Sequence, residues 1–228
     1  MTSPGVFQFG IPVTSVIDSI KITEQEIAFY RITNIDALYS KLSSLKNDDD
    51  NVIDERIPYW AELWPSAIAL AEYLCTRKLN NDMLIHEIGC GLALPSLVCG
   101  KMGYSVMMSD YVDAPLQFAS ANWRLNVKSE PTTILLDWRK IPDDIEKCDL
   151  LLAADVAYES RMFPAIVNAF KRLVKSGGRI VFTEPNRKFA SGFFELIRHE
   201  FTNTTIQNRE VIQNNHKHQI KIVEIEVE

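Results

Sequence analysis

The pattern of apolar and polar positions changes near residue 57. Before it, VFQFGIPVTSVID and IAFYRIT are rich in β-branched and aromatic residues, which predicts short strands. Apolar residues recur at helical spacing after Asn34, which predicts a short helix through Ser44 with Asn34 as its N-cap. The run KNDDDN that follows is expected to be a charged surface loop. Residues 1–57 are therefore expected to form a small β/α appendage.

From residue 58 onward, apolar runs of strand length alternate with segments of helical periodicity. The predicted strands are 83–88, 104–109, 132–136, 149–154 and 178–183. The predicted helices are 65–77, 92–102, 115–126, 161–175 and 188–200, with Gly177-Gly178 closing the fourth. This alternation predicts βαβ units, and therefore a Rossmann-like, mostly parallel sheet with helices on both faces.

The end of the chain departs from that rhythm. Residues 204–212 and 218–227 alternate with period two around the polar turn QNNHK. Two strands joined so tightly must be antiparallel, because a parallel pair needs a crossover of a dozen or more residues. We therefore expect residues 58–228 to form an α/β domain whose sheet ends in an antiparallel hairpin.

Composition narrows the class of protein. The chain has 228 residues, of which 46% are hydrophobic and 24% charged, as in ordinary soluble globular proteins. Its net charge is −6, so the protein lacks the overall positive potential that is typical of a nucleic-acid binder. No apolar run approaches the ~18 residues of a membrane span, and no signal peptide is evident. The four cysteines form no CxxC pair, and His216 and His218 have no third ligand nearby in sequence. We expect a cytoplasmic monomer with no metal and no nucleic-acid or membrane partner.

The sharpest local signal is the loop Glu87-Ile88-Gly89-Cys90-Gly91-Leu92-Ala93, which follows a strand and opens a helix. Glycines at this place permit a tight turn and a close approach of the backbone to a ligand, although a plain βα turn also contains them. Asp110 ends the next strand, 110 − 89 = 21 positions after the first glycine. In nucleotide-binding folds, an acidic residue at about that spacing in the sequence accepts hydrogen bonds from the ribose hydroxyls of the bound nucleotide.

Two cofactor classes fit this arrangement, nicotinamide dinucleotides and S-adenosylmethionine. The dinucleotide fingerprint needs a small residue at position 94, which is Leu94 here. Glu87 is ill-suited to a pyrophosphate but suits a cationic amino-acid group. The antiparallel hairpin also differs from the all-parallel dinucleotide fold. The residues therefore favour S-adenosylmethionine.

These features together resemble a known family. EIGCGLALP, Asp110, Asp137-Trp138 and the terminal hairpin resemble the class I, seven-stranded S-adenosylmethionine-dependent methyltransferases over roughly residues 58–228. PYWAELWPSAIALAEYL before the glycine loop, LLDW after the third strand and DVAY after the fourth resemble one branch, methyltransferase family 16, which includes protein-lysine methyltransferases.

The resemblance implies roles for eleven residues. The residues implied to bind the cofactor are Glu87, Gly89 and Gly91 at the methionine part, Asp110 at the ribose, Asp137 and Trp138 at the adenine, Trp64 near the mouth, and Tyr111 and Ala154 at neighbouring strand ends. Asp155 and Tyr158 would face the transferred methyl group and serve as catalytic residues.

The implied activity is methylation of a protein lysine side chain with S-adenosylmethionine. A small-molecule N- or O-methyltransferase and a non-catalytic S-adenosylmethionine binder remain alternatives. Several residues also have structural alternatives: Trp64 and Tyr158 as core aromatics, and Asp155 as a turn cap near 159–161 or as the partner of an Arg, a Lys or an N–H donor. Glu184 and Arg187, after the fifth strand, are either substrate contacts or plain loop residues.

Overall fold

The computed structural model describes residues 4–228, so the first three residues of the expected appendage lie outside the described part. The N-terminal elements are β1 (Phe7–Gln8), β2 (Ile11–Pro12), β3 (Ser15–Ile22), β4 (Gln25–Ile32), α1 (Ile35–Ser43) and α2 (Asp50–Ile53). The pairs β1–β2 and β3–β4 are antiparallel. The predicted strands and helix of this segment are therefore present.

Seven strands build the main sheet. They are β5 (Leu84–Ile88), β6 (Ser105–Asp110), β7 (Thr132–Leu135), β8 (Cys148–Ala154), β9 (Val174–Glu184), β10 (Asn203–Gln213) and β11 (His216–Glu226). Their order is β10-β11-β9-β8-β5-β6-β7. The pairs from β9 to β7 are parallel, whereas β11 lies antiparallel to both β9 and β10. The mostly parallel sheet with a terminal antiparallel hairpin is confirmed.

Helices cover both faces of this sheet. They are α3 (Pro65–Cys75), α4 (Leu94–Lys101), α5 (Asp113–Asn126), α6 (Phe163–Leu173) and α7 (Ser191–Glu200). Along β8, Leu150 and Leu152 pack in the apolar cluster of α3 to α5, while Leu151 packs in the cluster of α6 and α7. Strand side chains alternate between faces, which explains why a strand covered on both sides is apolar throughout. Within residues 4–228, the helices are too short or too polar to span a membrane.

Three local predictions are wrong. The helix predicted over 161–175 ends at Leu173, and Gly177-Gly178 lie inside β9, where they exchange backbone hydrogen bonds with Val227. The helix predicted from residue 92 begins at Leu94, because Gly91 and Ala93 before it have positive φ. Asn34 occupies the N-cap position of α1, but its side chain binds the Pro12 carbonyl and the Thr14 N–H at the connection between β2 and β3 instead of capping the helix.

The N-terminal hairpin lies against α5. The Asn122 side chain accepts a hydrogen bond from the Tyr30 backbone N–H at 2.8 Å, and Asn126 exchanges two bonds with the Ala28 backbone. A third apolar cluster joins this hairpin to Trp60 and Phe118. The appendage thus brings the segment around residues 54–60 to the glycine loop, while a domain boundary at residue 57 stays a prediction.

Gly100 in α4 provides a test of this packing. A Cβ built there would lie 2.5 Å from Cη2 of Trp123, a buried ring whose Nε1 donates to the Ser129 carbonyl. We expect Gly100→Ala to lower the free energy of unfolding by ~1–3 kcal/mol through overpacking, despite the better helix propensity of alanine. Denaturant-induced unfolding measures the change.

Gly192→Ala in α7 is the matched control, because its Cβ would meet nothing nearer than Phe163 Cε2 at 3.8 Å. This variant should be neutral or stabilised by up to about 1 kcal/mol. Equal unfolding midpoints for the two alanine variants would contradict the packing described for Gly100.

Candidate functional site

A cavity of about 350 Å³ opens at the carboxyl ends of the parallel strands. The chain runs from β5 outward to β6 and β7 and then returns to β8 on the other side of β5. The strand order thus reverses between β5 and β8, and ligands of open α/β sheets bind at such a point. All eleven residues that the sequence predicted line this cavity: Trp64, Glu87, Gly89, Gly91, Asp110, Tyr111, Asp137, Trp138, Ala154, Asp155 and Tyr158. Their individual roles stay predictions.

The glycine loop is shaped by positive φ and close packing. Gly89 and Gly91 have φ of +61° and +51°. A Cβ at Gly89 would lie 3.0 Å from Val156 Cγ1 and 3.3 Å from the Trp138 ring, and one at Gly91 would lie 3.4 Å from the Trp60 carbonyl oxygen. Both positions therefore need glycine, and the loop keeps its backbone against the cavity.

Two carboxylates are buried beside this loop. Glu87 at the end of β5 is 1% exposed and accepts hydrogen bonds from the backbone N–H and the hydroxyl of Ser96. Asp110 at the end of β6 accepts from the backbone N–H groups of Gly91 and Val112 at 3.1 and 3.2 Å. Burial raises the pKa of Glu87 to about 8 and that of Asp110 to about 6. Neither carboxylate is paired with a cation among residues 4–228.

The loop after β7 supplies the residues predicted at the adenine. The Trp138 ring packs on Gly89, and its buried Nε1 has no hydrogen-bond partner in the described structure. Asp137 is not free: its two oxygens accept from Nε and Nη2 of Arg139 at 2.9 and 3.0 Å. An adenine amino group at Asp137 would therefore share this carboxylate with Arg139.

Sequence reasoning missed the segment that covers this end of the cavity. Arg139 also binds Asp54 at 3.0 Å, and Asp54 accepts from the Tyr111 hydroxyl. The guanidinium groups of Arg56 and Arg139 lie 5.1 and 5.0 Å from the Tyr111 ring centre. The Tyr111 hydroxyl and Arg139 lower the pKa of Asp54 to about 2. Residues 54–56 are thus held over Tyr111. In the sequence, the one hint of this contact is that Arg139 directly follows Asp137-Trp138.

Asp155, directly after β8, lines another part of the same cavity. Asp155 has a backbone φ of +59° and is 8% exposed, and its N–H donates to the Thr183 carbonyl at 2.9 Å. Nη1 and Nη2 of Arg187 each bind one of its carboxylate oxygens, the latter at 3.1 Å. Of the two structural alternatives from the sequence, the structure thus provides the arginine partner and not the cap at residues 159–161.

Aromatic rings line the cavity beside Asp155. Tyr59, which sequence reasoning missed, has its ring centre 5.3 Å from that of Tyr158 and 6.1 Å from that of Trp64, both edge-on. Trp64 Nε1 donates to the Tyr59 carbonyl at 2.7 Å. Tyr158 is 40% exposed, so it is a mouth residue and not a core aromatic. The three rings form a continuous aromatic wall.

Glu184 and Arg187 have different roles in the structure. The Glu184 carboxylate is 1% exposed and accepts from the backbone N–H groups of Asn186 and Arg187 at 2.7 and 2.8 Å, which fixes the loop after β9. Arg187 itself reaches the cavity and binds Asp155. Glu184 is therefore a loop-shaping residue, and Arg187 is part of the site.

Curated proteins similar to the chain are methyltransferases. The histone-arginine methyltransferase METTL23 of Xenopus laevis is 31% identical over 123 residues, covering 51% of this chain and 53% of that protein. The protein-lysine methyltransferase METTL21E of Mus musculus is 30% identical over 154 residues, covering 60% and 63%. The matches thus span about half to two thirds of these relatives.

Solved structures share the fold at low identity. The 16S rRNA N2 G1207 methyltransferase of T. Thermophilus, in complex with AdoMet and guanosine, has a TM-score of 0.64 at 14% identity, covering 95% of this chain and 52% of that one. The precorrin-6y C5,15-methyltransferase of Geobacter metallireducens has a TM-score of 0.57 at 16% identity, covering 71% and 87%. These likenesses confirm the Rossmann-like methyltransferase fold.

The match to a family model is decisive. Residues 54–200 match the model described as lysine methyltransferase, methyltransferase family 16. That span runs from Asp54 to the end of α7, and it includes every residue of the cavity described above. The resemblance seen in the sequence is confirmed, and the chain belongs to the family 16 methyltransferases.

Proposed function

We propose that this protein is an S-adenosylmethionine-dependent methyltransferase that N-methylates a protein lysine side chain. The observation that carries the proposal is one cavity lined by two chemically different groups of residues, which we call its two ends. Glu87 and Asp110 lie beside the glycine loop, and Asp155 lies beside the aromatic wall of Tyr59, Trp64 and Tyr158. Membership in the family and the METTL21E relative support lysine as the acceptor, and the METTL23 relative, an arginine methyltransferase, supports protein methylation more broadly.

The first end fits the cofactor. S-adenosylmethionine, when bound, supplies an activated methyl group on a sulfonium, together with an ammonium group and a ribose diol. Glu87 and Asp110 are carboxylates whose burial disfavours their charge, and a cation or hydroxyl donors would offset that cost. Gly89 and Gly91 line the cavity, and both have a positive φ that favours glycine. These four residues would therefore hold the methionine and ribose parts.

The second end fits an amine. Aromatic faces attract a cation, so Tyr59, Trp64 and Tyr158 form a suitable channel for a lysine side chain. The protein must align the acceptor nitrogen with the methyl group at about 3–3.5 Å. A lysine ammonium has a pKa of about 10.4 and must lose a proton to solvent before it reacts. Asp155 would then accept a hydrogen bond from the neutral nitrogen and orient its lone pair.

Transfer of a radiolabelled methyl group into a cell lysate tests the proposal. We expect label on protein, recovered as methyllysine after acid hydrolysis. Label recovered as methylarginine would show that the acceptor is arginine, as the name of the METTL23 relatives states for those proteins. Label only in the small-molecule extract would identify a small-molecule methyltransferase. Cofactor binding without any label would show a non-catalytic binder.

Asp110→Ala tests the cofactor end. The variant should weaken binding of S-adenosylhomocysteine by roughly 1.5–3 kcal/mol, the range for a hydrogen bond to a charged group, as measured by calorimetry. Asp143→Ala is the control, because Asp143 is fully exposed and pairs only with Arg172 in the described part of the chain. Unchanged affinity in a well-folded Asp110→Ala protein would remove Asp110 from the cofactor site.

Glu87 predicts a pH dependence. Its pKa is about 8 in the folded protein against 4.5 ordinarily, so between these values the folded state keeps a proton that the unfolded state has lost. The unfolding free energy of the cofactor-free protein should therefore fall as the pH rises to about 8. Affinity for the cationic cofactor should rise over the same interval as Glu87 ionises.

Glu87→Gln is expected to flatten both dependences. Denaturant unfolding and calorimetry between about pH 6.5 and 8.5 measure them, above the range where Asp110 titrates with its pKa of about 6. Parallel curves for the wild type and Glu87→Gln would show that Glu87 keeps one charge state throughout.

A further inference from the structure

The partner of Asp155 changes the electrostatics of the acceptor end. A lone carboxylate at the end of a lysine channel would hold the ammonium in its unreactive, protonated form, since a negative charge stabilises a cation. In this protein both Asp155 oxygens bind the guanidinium of Arg187, whose side chain is 26% exposed. The carboxylate therefore faces the cavity already paired with a permanent positive charge.

The pair leaves hydrogen-bonding capacity for one more group. A carboxylate has about four lone-pair sites, and Arg187 occupies one on each oxygen of Asp155. Asp155 can still accept from an N–H group in the cavity. A neutral amine gains that hydrogen bond, whereas a cation that enters also meets the adjacent guanidinium of Arg187.

Other charged groups near the pair come from each neighbouring element. On its own loop, Arg187 faces Glu184, whose carboxylate is bound by two backbone N–H groups. Tyr59 faces it from the segment before α3. Tyr158 lies near Asp110 and Glu159, and Glu159 is paired with Arg161. The Asp155–Arg187 pair therefore shares this part of the cavity wall with a second ion pair, Glu159–Arg161, and it is the pair that includes Asp155, the residue proposed to bind the acceptor.

We propose that Arg187 is a positioning and specificity residue that makes the acceptor end select a neutral amine over a permanently charged guanidinium. This inference rests on the proposed function and names its acceptor class, lysine and not arginine. A lysine ammonium gives up its proton readily when desolvated, whereas a guanidinium stays charged. Methyl transfer forms the N–C bond from the nitrogen lone pair as the S–C bond breaks and its electron pair stays on sulfur, so the proton must already have passed to water.

Two small probes test the selectivity without turnover. n-Butylamine carries the end of a lysine side chain, and n-propylguanidine that of an arginine side chain. Each is titrated by NMR into the full chain saturated with S-adenosylhomocysteine, at about pH 7 and about pH 9.5. We expect the wild type to bind n-butylamine at least about fivefold more tightly at the higher pH and to bind n-propylguanidine weakly at both.

Arg187→Gln should reverse this behaviour, because it leaves the Asp155 charge unpaired. We expect n-propylguanidine to bind about tenfold more tightly than in the wild type, and the gain of n-butylamine with pH to disappear. Arg187→Lys keeps the charge and should stay close to the wild type. Asp155→Asn combined with Arg187→Gln removes both charges and should restore the preference for the neutral amine, which a merely structural role would not do.

Arg198→Gln, an exposed position on α7, is the matched control for loss of one arginine charge. The inference is overturned if Arg187→Gln leaves both affinities and their pH dependence unchanged, or if the folded wild type binds neither probe. It is also overturned if Arg187→Gln is unfolded while Arg187→Lys loses the pH dependence. The outcome of the radiolabel experiment can be distinguished from that of the probe titrations. Absence of methyl transfer together with intact probe selectivity would refute the proposed function and leave the selectivity of Arg187 standing.

Discussion

Burial of charge at the carboxyl edge of the sheet is the constraint around which the molecule is arranged. Glu87, Asp110 and Asp155 lie at the ends of three neighbouring strands and are each less than a tenth exposed. A buried carboxylate is costly unless hydrogen bonds or cations compensate it. Each carboxylate has its own compensation: the Ser96 hydroxyl binds Glu87, the glycine loop binds Asp110 through the Gly91 N–H, and Arg187 binds Asp155.

Periodicity and loop chemistry predicted much of the fold, and the resemblance to family 16 implied all eleven candidate residues. Strands buried on both faces are apolar throughout, so β5 and β8 stand out in the sequence. Residues at the carboxyl ends of parallel strands must gather at one edge, which is why the sequence alone predicts that Glu87 and Asp155 lie in one cleft. Helix ends were harder to predict, because Gly177 and Gly178 suit a helix stop as well as the irregular start of β9.

Pairs of side chains distant in sequence were beyond such reasoning. Arg187 lies 32 positions from Asp155, and Arg139 lies 85 from Asp54. Each of these residues alone is typical of a solvated loop, and no period or spacing connects it to its partner. Tyr59 was missed for a related reason, since its role depends on a short 3₁₀ turn that places its ring between those of Trp64 and Tyr158.

The two ends of the cavity treat their carboxylates differently, and chemistry explains the difference. At the glycine loop, Glu87 and Asp110 are bound only by N–H and hydroxyl donors within the described residues, so no cation of this part of the chain offsets the cost of their burial. At the aromatic wall, the Asp155 carboxylate is already paired with the guanidinium of Arg187, so that carboxylate gains little from a second cation. In the proposed function, a methyl donor arrives positively charged and an amine acceptor reacts uncharged, and side chains from the ends of adjacent strands would meet both requirements.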